Sequence, residues 1–375
     1  MKAVILTAGM STRTYPLTLT IPKVLLKVAG KSLIEHNLES LQGIADEAIL
    51  VVGYKKEMVK DYIGNEFCGV KISYATQKHQ LGTGHALLAA EPYLGREDFI
   101  VMMGDDIYSG DNIQKLLKET PSLLAMEVDD PSRFGIWLEN GGNVSGFQEK
   151  PEKPLSNLAN CGLYVMGPDI FRKIKALSRT VRGEYELNEA VNALAKEMPV
   201  RIVKARNGWI PIGYPWDVIE ANRILLENIE HRINGEIEDG ATIKGNVCIG
   251  NGTKILAGSY IEGPVMIGRD CVIGPNCYIR PYTYIGDGCR IGNASEVKNS
   301  VIGNGSKLPH LNYVGDSILG RNVNMAAGSI TANLRHDKKP IKTAVKGKLV
   351  ETGRRKFGTV IGDGARLGVR TIIYP

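Results

Sequence analysis

The chain has 375 residues, of which 43% are hydrophobic and 23% charged, so it is long enough for two globular domains and is not a mostly disordered chain. No apolar run approaches the roughly 20 residues that span a membrane, and the six cysteines form no CxxC pair, which argues against a membrane protein, a zinc site and a dithiol redox site. The net charge of +6 comes from residues 335–358, which hold nine basic and two acidic residues. One basic loop suits a small phosphorylated ligand better than a nucleic acid, and we expect a soluble cytoplasmic protein.

Residues 1–233 alternate short β-branched runs with helical patterns, which predicts a mostly parallel sheet with helices on both faces. In such sheets ligands bind beyond the carboxyl ends of the strands, so the loops after Thr7 and Met103 are the places to look. A long amphipathic helix is predicted from Pro215 to the Asn234-Gly235 pair, where the first domain ends. The pattern predicts strands at residues 3–7, 48–52, 70–75 and 99–103, and helices at residues 33–41, 58–67 and 85–93.

A six-residue repeat fills the second domain, residues 234–375. Every sixth residue from Ile243 to Val297 is aliphatic, and the residue two positions earlier is nearly always small. This pattern predicts a triangular parallel β-helix with three hexads in each coil, in which Cys271, Cys277 and Cys289 are small core residues. The register slips by one residue after Val297, breaks at the basic loop and returns beyond it. Taken alone, such a solenoid could serve only to assemble subunits, and we expect a homotrimer.

The turn after the first strand carries the strongest chemical signal of the first domain. It reads Ala8-Gly9-Met10-Ser11-Thr12-Arg13 and is followed by Pro22-Lys23. A glycine-containing turn with exposed N–H groups, one Arg and one Lys is suited to bind a triphosphate, although it is not a Walker loop. Two further segments strengthen this interpretation, namely Gln80-Leu81-Gly82-Thr83-Gly84-His85 and Gly104-Asp105-Asp106.

Together these motifs resemble those of the sugar-1-phosphate nucleotidylyltransferases, whose signature is G-x-G-T-R followed by P-K. The resemblance covers essentially the whole first domain and implies an α/β Rossmann-like nucleotidyltransferase fold. It implies attack by a sugar phosphate oxygen on the α-phosphorus of a nucleoside triphosphate, with release of pyrophosphate. This oxygen is already ionised, so catalysis depends on cations and positioning. Ser11 stands where the family usually has its second glycine, so a residue with a side chain must adopt that backbone conformation.

The resemblance also implies roles for individual residues. Arg13 and Lys23 would hold the triphosphate as catalytic residues, and Asp105 and Asp217 would bind Mg²⁺, with Asn222 the next candidate after Asp217. The implied nucleotide-binding residues are Ala8, Gly9, Gln77, Gly82 and Thr83, and the implied sugar-binding residues are Gly135, Glu149, Lys150 and Asn160. Simpler structural roles are a solvated turn for Asp106, a surface pair for Glu149-Lys150, a structural role for His36 and His85, and packing for Trp137, Trp209 and Trp216.

The string Lys307-Leu308-Pro309-His310-Leu311-Asn312-Tyr313-Val314-Gly315-Asp316 resembles the acyltransferase half of bifunctional enzymes that acetylate glucosamine-1-phosphate and then uridylylate the product. The resemblance implies a left-handed parallel β-helix with its active site between adjacent subunits. His310 would be the general base that deprotonates the ammonium group, and Asn333 would stabilise the oxyanion. Tyr313 and Asn324 would position the sugar or polarise the thioester. The implied sugar-phosphate cations are Arg280, Lys298, Lys339 and Lys342, and Ala327 is the implied acetyl-CoA contact.

Three functions are compared. The first is a bifunctional enzyme that uses acetyl-CoA and UTP (or dTTP) with Mg²⁺, and binds neither nucleic acid nor membrane. The alternative is a single-activity glucose-1-phosphate uridylyl- or thymidylyltransferase whose β-helix only oligomerises, and the third is a non-catalytic scaffold. The sequence leaves open the choice of UTP or dTTP, of glucosamine or galactosamine, and the order of the two reactions. The family usually continues through one or two more coils, so either this sequence is shortened or coenzyme A binds more weakly and partly differently.

Overall fold

Two compact units make up the protein, in a computed structural model that describes residues 1–180 and 182–375. The first unit contains Met1–Met10 and Leu33–Pro211, and the second contains Ser11–Ser32 and Ile212–Pro375. This division differs from the predicted boundary at residue 233. The difference arises because the helix Pro215–Leu226 packs on strands of the repeat region and on the segment Ser11–Ser32.

The first unit is built on a ten-stranded mixed sheet whose centre is parallel, as the alternating pattern predicted. The strand Lys2–Leu6 lies between Phe99–Met103 and Glu47–Val52, and Val70–Thr76 follows, all in parallel register. Helices cover the sheet and enclose a core of buried aliphatic and aromatic side chains. In sheet order, the strands are Gly135–Asn140, Asn143–Glu149, Arg201–Ala205, Ser122–Glu127, Leu158–Met166, Phe99–Met103, Lys2–Leu6, Glu47–Val52, Val70–Thr76 and Glu66–Phe67.

One predicted helix of this unit ends earlier than the sequence pattern suggested. The helix Lys56–Ile63 stops at Gly64, whose φ of 73° is readily reached by glycine, and the chain continues as the short strand Glu66–Phe67. The prediction of a helix through residue 67 was therefore wrong at its end. The α-helices of the unit are Leu33–Ser40, Lys56–Ile63, Thr83–Ala90, Gly110–Leu116, Asp169–Ala176 and Leu187–Leu194.

The second unit is a parallel β-helix with three sheets of seven strands each. This confirms the predicted left-handed β-helix class. The first sheet contains Arg232–Ile233, Val247–Ile249, Val265–Ile267, Thr283–Ile285, Val301–Ile302, Ile318–Leu319 and Val360–Ile361. The second sheet contains Glu236–Ile237, Lys254–Ile255, Val272–Ile273, Arg290–Asn293, Lys307–His310, Asn324–Met325 and Arg366–Leu367. The third sheet contains Thr242–Lys244, Tyr260–Glu262, Tyr278–Ile279, Glu296–Lys298, Tyr313–Gly315, Ile330–Thr331 and Ile372–Ile373.

The strand register follows the hexads. Ile267 pairs with Ile285, one full coil later, and the next coil is one residue shorter because Ile285 pairs with Ile302. Leu319 then pairs with Ile361, so the basic loop is an insertion between two coils. The aliphatic residues stack inside the solenoid, and the predicted core cysteines are buried with them. The register slip and the break at the basic loop are both confirmed.

The helix before the solenoid is shorter than predicted. It spans Pro215–Leu226, and Arg232–Ile233 already forms the first strand of the first sheet, so the helix does not continue to residue 234. In the part of the chain that the structure describes, no helix has both the length and the apolar character needed to cross a membrane.

The segment Ser11–Ser32 is attached to the solenoid at several points. The Thr20 hydroxyl donates to Asp363 Oδ2 at 2.6 Å, in the last coil. A Cβ placed on Gly362 would lie 3.1 Å from Pro16, so the two backbones pass close together. At the other end of the segment, the Ala29 N–H donates to Asn222 Oδ1 at 3.1 Å. The segment that carries Arg13 and Lys23 is therefore fixed to the solenoid, within the second unit.

Candidate active sites

The predicted nucleotide turn of the first unit lies against the Gln80 loop. The Ala8 carbonyl accepts a hydrogen bond of 3.1 Å from the Tyr54 N–H. A Cβ on Gly53 would lie 2.8 Å from both the Ala8 oxygen and Gln80 Nε2, so only glycine fits between them. The structure thus brings Ala8 close to the loop that contains the predicted base-binding residues.

That loop is fixed by the segment around Tyr185. Gly82 has a φ of 97°, and a Cβ there would lie 2.6 Å from the Tyr185 carbonyl oxygen. The Thr83 hydroxyl accepts from the Leu187 N–H at 2.9 Å at the start of the helix Thr83–Ala90. Glycine is therefore required at position 82 because the loop passes close to the backbone of Tyr185.

The predicted metal ligand Asp105 lies just after Gly104, where the ends of the strands Lys2–Leu6 and Phe99–Met103 come close together. A Cβ on Gly104 would lie 2.7 Å from Thr7 Cγ2, so glycine is needed where the central strands finish. Asp105 is half-buried there. Its neighbour Asp106 accepts a 2.9 Å hydrogen bond from Trp209 Nε1. Asp106 is therefore a bonded, half-buried residue and not the solvated turn residue that the sequence suggested.

The predicted sugar-binding residues Gly135, Glu149 and Lys150 lie together. Gly135 pairs with Glu149 across two antiparallel strands, and a Cβ on Gly135 would lie 2.5 Å from the Phe147 ring. The Glu149 carboxylate forms a 3.1 Å ion pair with Arg182. Lys150 has a φ of 43° and donates its N–H to a backbone carbonyl. The pair is therefore integrated into the sheet edge.

Asn160 lies on the strand next to this pair. Its Oδ1 accepts hydrogen bonds of 3.0 Å from the Gly162 N–H and from the Tyr164 hydroxyl. Burial raises the pKa of Tyr164, so the hydroxyl remains a donor at neutral pH. With both of these donors on its oxygen, Asn160 presents its amide nitrogen as a donor to a ligand, which suits a sugar hydroxyl.

The part of the nucleotide motif that begins at Ser11 belongs to the second unit. Ser11 has a φ of 51°, which confirms that this position needs the conformation usually given to glycine. The hydroxyls of Thr14 and Thr18 donate to the Ser11 carbonyl at 2.7 and 3.0 Å and hold the strained residue in place. Arg13 is exposed, whereas Lys23 is 4% exposed.

Tyr214 contacts the Arg13 side chain, and Trp216 and Asp217 fix the position of Tyr214. The guanidinium lies 5.6 Å from the centre of the Tyr214 ring, which stacks on Trp216 at 4.5 Å. Asp217 Oδ2 accepts from the N–H groups of Gly213 and Tyr214 at 2.9 and 2.8 Å and caps the helix Pro215–Leu226. Trp216 is 3% exposed, which confirms the predicted packing role.

Asn222, the second candidate for a metal ligand, has a structural role. It is fully buried, accepts from the Ala29 N–H and donates through Nδ2 to the Tyr282 carbonyl at 2.9 Å. The amide thereby joins the helix Pro215–Leu226 to the solenoid, and the interpretation of Asn222 as a magnesium ligand is wrong.

A buried carboxylate organises the predicted acyltransferase residues. Asp316 is 2% exposed and accepts from Lys298 Nζ at 3.0 Å, Asn299 Nδ2 at 2.7 Å and Asn333 Nδ2 at 2.6 Å. Asn333 Nδ2 also donates to the Tyr313 hydroxyl at 3.2 Å. Lys298 and Asn333 therefore bind Asp316 directly, and Tyr313 joins the cluster through Asn333. Because both amide hydrogens of Asn333 are engaged, its predicted oxyanion role requires one of them to change partner.

Arg280 and Lys298 are not cations in an otherwise neutral coil, as the sequence suggested. Arg280 pairs with Glu296 at 2.7 Å and lies over the Tyr278 ring at 5.4 Å, and Lys298 pairs with Asp316. The hydrogen bond to Glu296 raises the pKa of Arg280. Each cation is balanced by a carboxylate in a neighbouring coil, so a sugar phosphate would compete for partly neutralised charge.

His310 lies at the end of a strand in the second sheet and is exposed. Its backbone N–H donates to Asn312 Oδ1 at 3.2 Å, and its carbonyl accepts from the Gly328 N–H at 3.2 Å. Asn312 is buried and donates to the Ala326 carbonyl of the next coil. His310 is thus placed beside the backbone of Ala327, the predicted acetyl-CoA contact.

The remaining predicted cations lie in the inserted loop. Lys342 begins the hairpin strand Lys342–Val345 and is 3.9 Å from Glu351 across the hairpin, and the Lys339 N–H donates to Asp337. Asn324 starts a strand of the second sheet in register with Lys307.

The sequence contained an unused signal for Asp316. Lys298 pairs in register with Gly315 of the next coil, because the coil is one residue shorter there, and Asp316 follows Gly315 directly. A basic and an acidic residue about one coil apart indicate an ion pair between neighbouring coils, and this spacing is the signal that identifies Asp316 in the sequence. His85, for which the sequence suggested a structural role, contacts the predicted base-binding Gln77.

Comparison with known proteins places these features in a family. The nucleotidyl transferase family matches residues 2–228, and the GMPPB C-terminal domain matches residues 261–373. The "Bifunctional protein GlmU" of Methanocaldococcus jannaschii is 42% identical over 376 residues, covering 100% of this chain and 91% of that protein. The "Bifunctional sugar-1-phosphate nucleotidylyltransferase/acetyltransferase" of Sulfurisphaera tokodaii is 41% identical and covers 100% of this chain and 93% of that protein.

Other relatives resemble the chain over a smaller part. A glucose-1-phosphate thymidylyltransferase of Streptomyces antibioticus is 33% identical over 72% of this chain and 78% of its own. A crystal structure of UDP-glucose pyrophosphorylase complexed with UDP-glucose superposes with a TM-score of 0.56 at 25% identity, covering 61% of this chain and 99% of that one. With its nucleotidyl transferase half and its full-length likeness to two-activity archaeal proteins, the chain belongs to the family of bifunctional sugar-1-phosphate nucleotidylyltransferase/acetyltransferases.

Proposed function

We propose that the protein acetylates glucosamine-1-phosphate with acetyl-CoA and transfers a uridylyl group from UTP to N-acetylglucosamine-1-phosphate, which yields UDP-N-acetylglucosamine and pyrophosphate. The observation that carries this proposal is the cluster of Lys298, Tyr313 and Asn333 around the buried Asp316. A solenoid that only assembled subunits would gain nothing from a buried ion pair, because such pairs contribute little to stability. The full-length similarity to bifunctional relatives supports the same proposal.

In the uridylyl transfer, an ionised sugar phosphate oxygen attacks the α-phosphorus and pyrophosphate leaves. No general base is needed, and the barrier lies in the repulsion between two polyanions. We assign Arg13 and Lys23 to neutralise the triphosphate, with Arg13 oriented by its contact with Tyr214. Gln77, Gly82 and Thr83 would bind the base. The sugar would contact Gly135, Glu149, Lys150 and Asn160.

Magnesium fits the carboxylates that the chain provides. Among the described residues, no group of three or more His, Cys, Asp or Glu side chains converges as a metal site. Mg²⁺ in phosphoryl-transfer enzymes typically uses only one or two carboxylates together with phosphate oxygens, and the family resemblance assigns Asp105 and Asp217 to this role. When bound, the ion would neutralise phosphate charge. The cap formed by Asp217 would orient its carboxylate for this purpose.

In the acetyl transfer, the His310 imidazole takes a proton from the ammonium group of the amino sugar. The amine then attacks the thioester carbonyl, and the tetrahedral intermediate breaks down as the coenzyme A thiol leaves. Asn333 and Tyr313 would position the sugar and the thioester. Arg280 and Lys298 would bind the sugar phosphate, and Lys339 and Lys342 would contact phosphates of the sugar or of coenzyme A.

The test is a panel of assays on the intact chain. UTP and dTTP are combined with glucose-, glucosamine- and N-acetylglucosamine-1-phosphate, with and without acetyl-CoA, and thiol and pyrophosphate release are measured. His310→Ala should abolish thiol release and leave pyrophosphate release intact, whereas the control His231→Ala should change neither. If the wild type releases no thiol with any amino sugar phosphate, the single-activity alternative is correct. If it also shows no Mg²⁺-dependent pyrophosphate exchange, the protein is a non-catalytic scaffold.

We further propose a cytoplasmic homotrimer with acyltransferase sites between subunits. The three sheets of the solenoid offer faces on which identical coils can pack about a threefold axis. All six cysteines are unpaired thiols, as expected in a reducing compartment. Light scattering of the intact chain tests the trimer, and a monomer with full acetyltransferase activity would contradict it.

A further inference from the structure

The amide group of Gln77 has a defined orientation. Gln77 is 4% exposed, and its Nε2 lies 3.1 Å from the Gly82 carbonyl oxygen. A backbone carbonyl only accepts hydrogen bonds, so the amide nitrogen of Gln77, and not its oxygen, must face Gly82. Gly82 itself is fixed by its positive φ and by the adjacent Tyr185 backbone.

His85 fixes the same amide from a second side. Its Nδ1 lies 3.0 Å from Gln77 Nε2. Because Nε2 has two hydrogens and no lone pair to offer, Nδ1 must be the unprotonated nitrogen of a neutral imidazole. The ring is held by the helix Thr83–Ala90 and by stacking on Tyr185 at 6.5 Å.

The carbonyl oxygen of Gln77 is consequently directed away from both partners. Among residues 1–180 and 182–375, no side chain or backbone group donates to Gln77 Oε1. The loop that carries it lies against the predicted nucleotide turn at Ala8, because Gln80 and Ala8 both meet Gly53. Gln77 therefore offers the nucleotide an acceptor and no donor.

We propose that His85 is a positioning residue that holds the Gln77 amide as an acceptor and thereby selects a base with an imino N–H. This inference rests on the proposed uridylyl transfer and on contact of Gln77 with the base. Uracil and thymine carry an N3–H that can donate to Gln77 Oε1. Cytosine has a bare ring nitrogen at the same position, whose lone pair would face the lone pairs of Oε1.

The arrangement also links base binding to the protonation of His85. Burial lowers the pKa of His85, and the charges of His79 and Arg179 lower it further, so the ring is neutral at pH 7. Tyr185 stacks on the His85 ring, and the Arg179 guanidinium lies 5.6 Å from the centre of the Tyr185 ring. A protonated Nδ1 would face the Nε2 hydrogens of Gln77, and the amide would lose one of its two acceptors.

The experiment compares His85→Phe and His85→Asn with the wild type in pyrophosphate release from UTP and from CTP. Phenylalanine keeps a ring against Tyr185 but has no acceptor, so the ratio of kcat/KM for UTP to that for CTP should fall by about tenfold, through KM and with kcat unchanged. Asparagine can place its Oδ1 where Nδ1 lies, so it should keep the preference for UTP.

A pH profile separates positioning from simple packing. The KM of the wild type for UTP should rise as the pH falls and His85 becomes protonated, whereas His85→Asn should lack this inflection. An unchanged UTP preference in folded, active His85→Phe would overturn the inference, and so would loss of that preference in folded His85→Asn. Absence of pyrophosphate release from every nucleotide in the wild type would instead refute the proposed function.

Discussion

Replacement of Asp316 by asparagine tests the buried centre of the acyltransferase site. The substitution keeps the shape but leaves Lys298 without its counter-charge, at a contact of 3.0 Å where Asp316 is 2% exposed. Removal of one partner of a buried ion pair costs about 3–5 kcal/mol, and the new amide hydrogens would also face the donors Asn299 and Asn333. We expect the free energy of unfolding to fall by an amount in this range.

The same variant should separate the two reactions. Displacement of Asn333 and Tyr313 should reduce thiol release from acetyl-CoA by about 100-fold, while pyrophosphate release remains. Urea unfolding and the two release assays measure these effects. The matched control is Glu236→Gln, which breaks an exposed 3.2 Å pair with Lys254 in the same solenoid and should cost about 0–1 kcal/mol. Wild-type stability and thiol release in Asp316→Asn would refute the reasoning.

Three other substitutions have defined expected outcomes. Ile285→Ala opens a cavity in the solenoid core, where Ile285 is fully buried, and should lower the free energy of unfolding by about 2–5 kcal/mol in urea titrations. Arg172 and Lys173 hold the pKa of Glu197 at about 2, below its ordinary 4.5, so the carboxylate stabilises the fold above pH 4.5 and loses this effect as the pH falls to 2. The difference in urea midpoint between wild type and Glu197→Gln should therefore disappear as the pH falls from 4.5 to 2. A difference that stays constant with pH would contradict this role of the Glu197 carboxylate. Thr20→Val removes an anchor of the loop that carries Arg13, so the KM for UTP should rise by up to about tenfold with thiol release unchanged.

The hexads made the solenoid predictable because each coil repeats the same contact. In the regular coils a residue stacks on its partner 18 positions later, which identified the core positions. Departures from that spacing marked the register slip and the inserted loop. The central strands of the first unit were predictable for a similar reason, since buried parallel strands are short β-branched runs. Helix ends were less certain, as Gly64 shows, because a single capping residue decides them.

The site residues could be named from the motifs, but their partners could not. The role of Asp316 depends on three side chains from neighbouring coils, and that of His85 depends on one amide across a loop. Such contacts depend on where side chains lie in three dimensions. A sequence motif gives only the residue types and their separation along the chain. Asn222 is the clearest example, because this polar residue near a predicted metal site has both amide atoms hydrogen-bonded and joins a helix to the solenoid.

The attachment of residues 11–32 to the coils changes how the protein can be divided. The division of units passes between Met10 and Ser11 and again between Ser32 and Leu33, so the nucleotide signature is split between two bodies. A chimera that exchanged only the part beyond residue 233 would keep Thr20 but replace Asp363. The hydrogen bond between these two side chains could then be lost. Engineers who recombine relatives would therefore need to transfer residues 11–32 together with the coils.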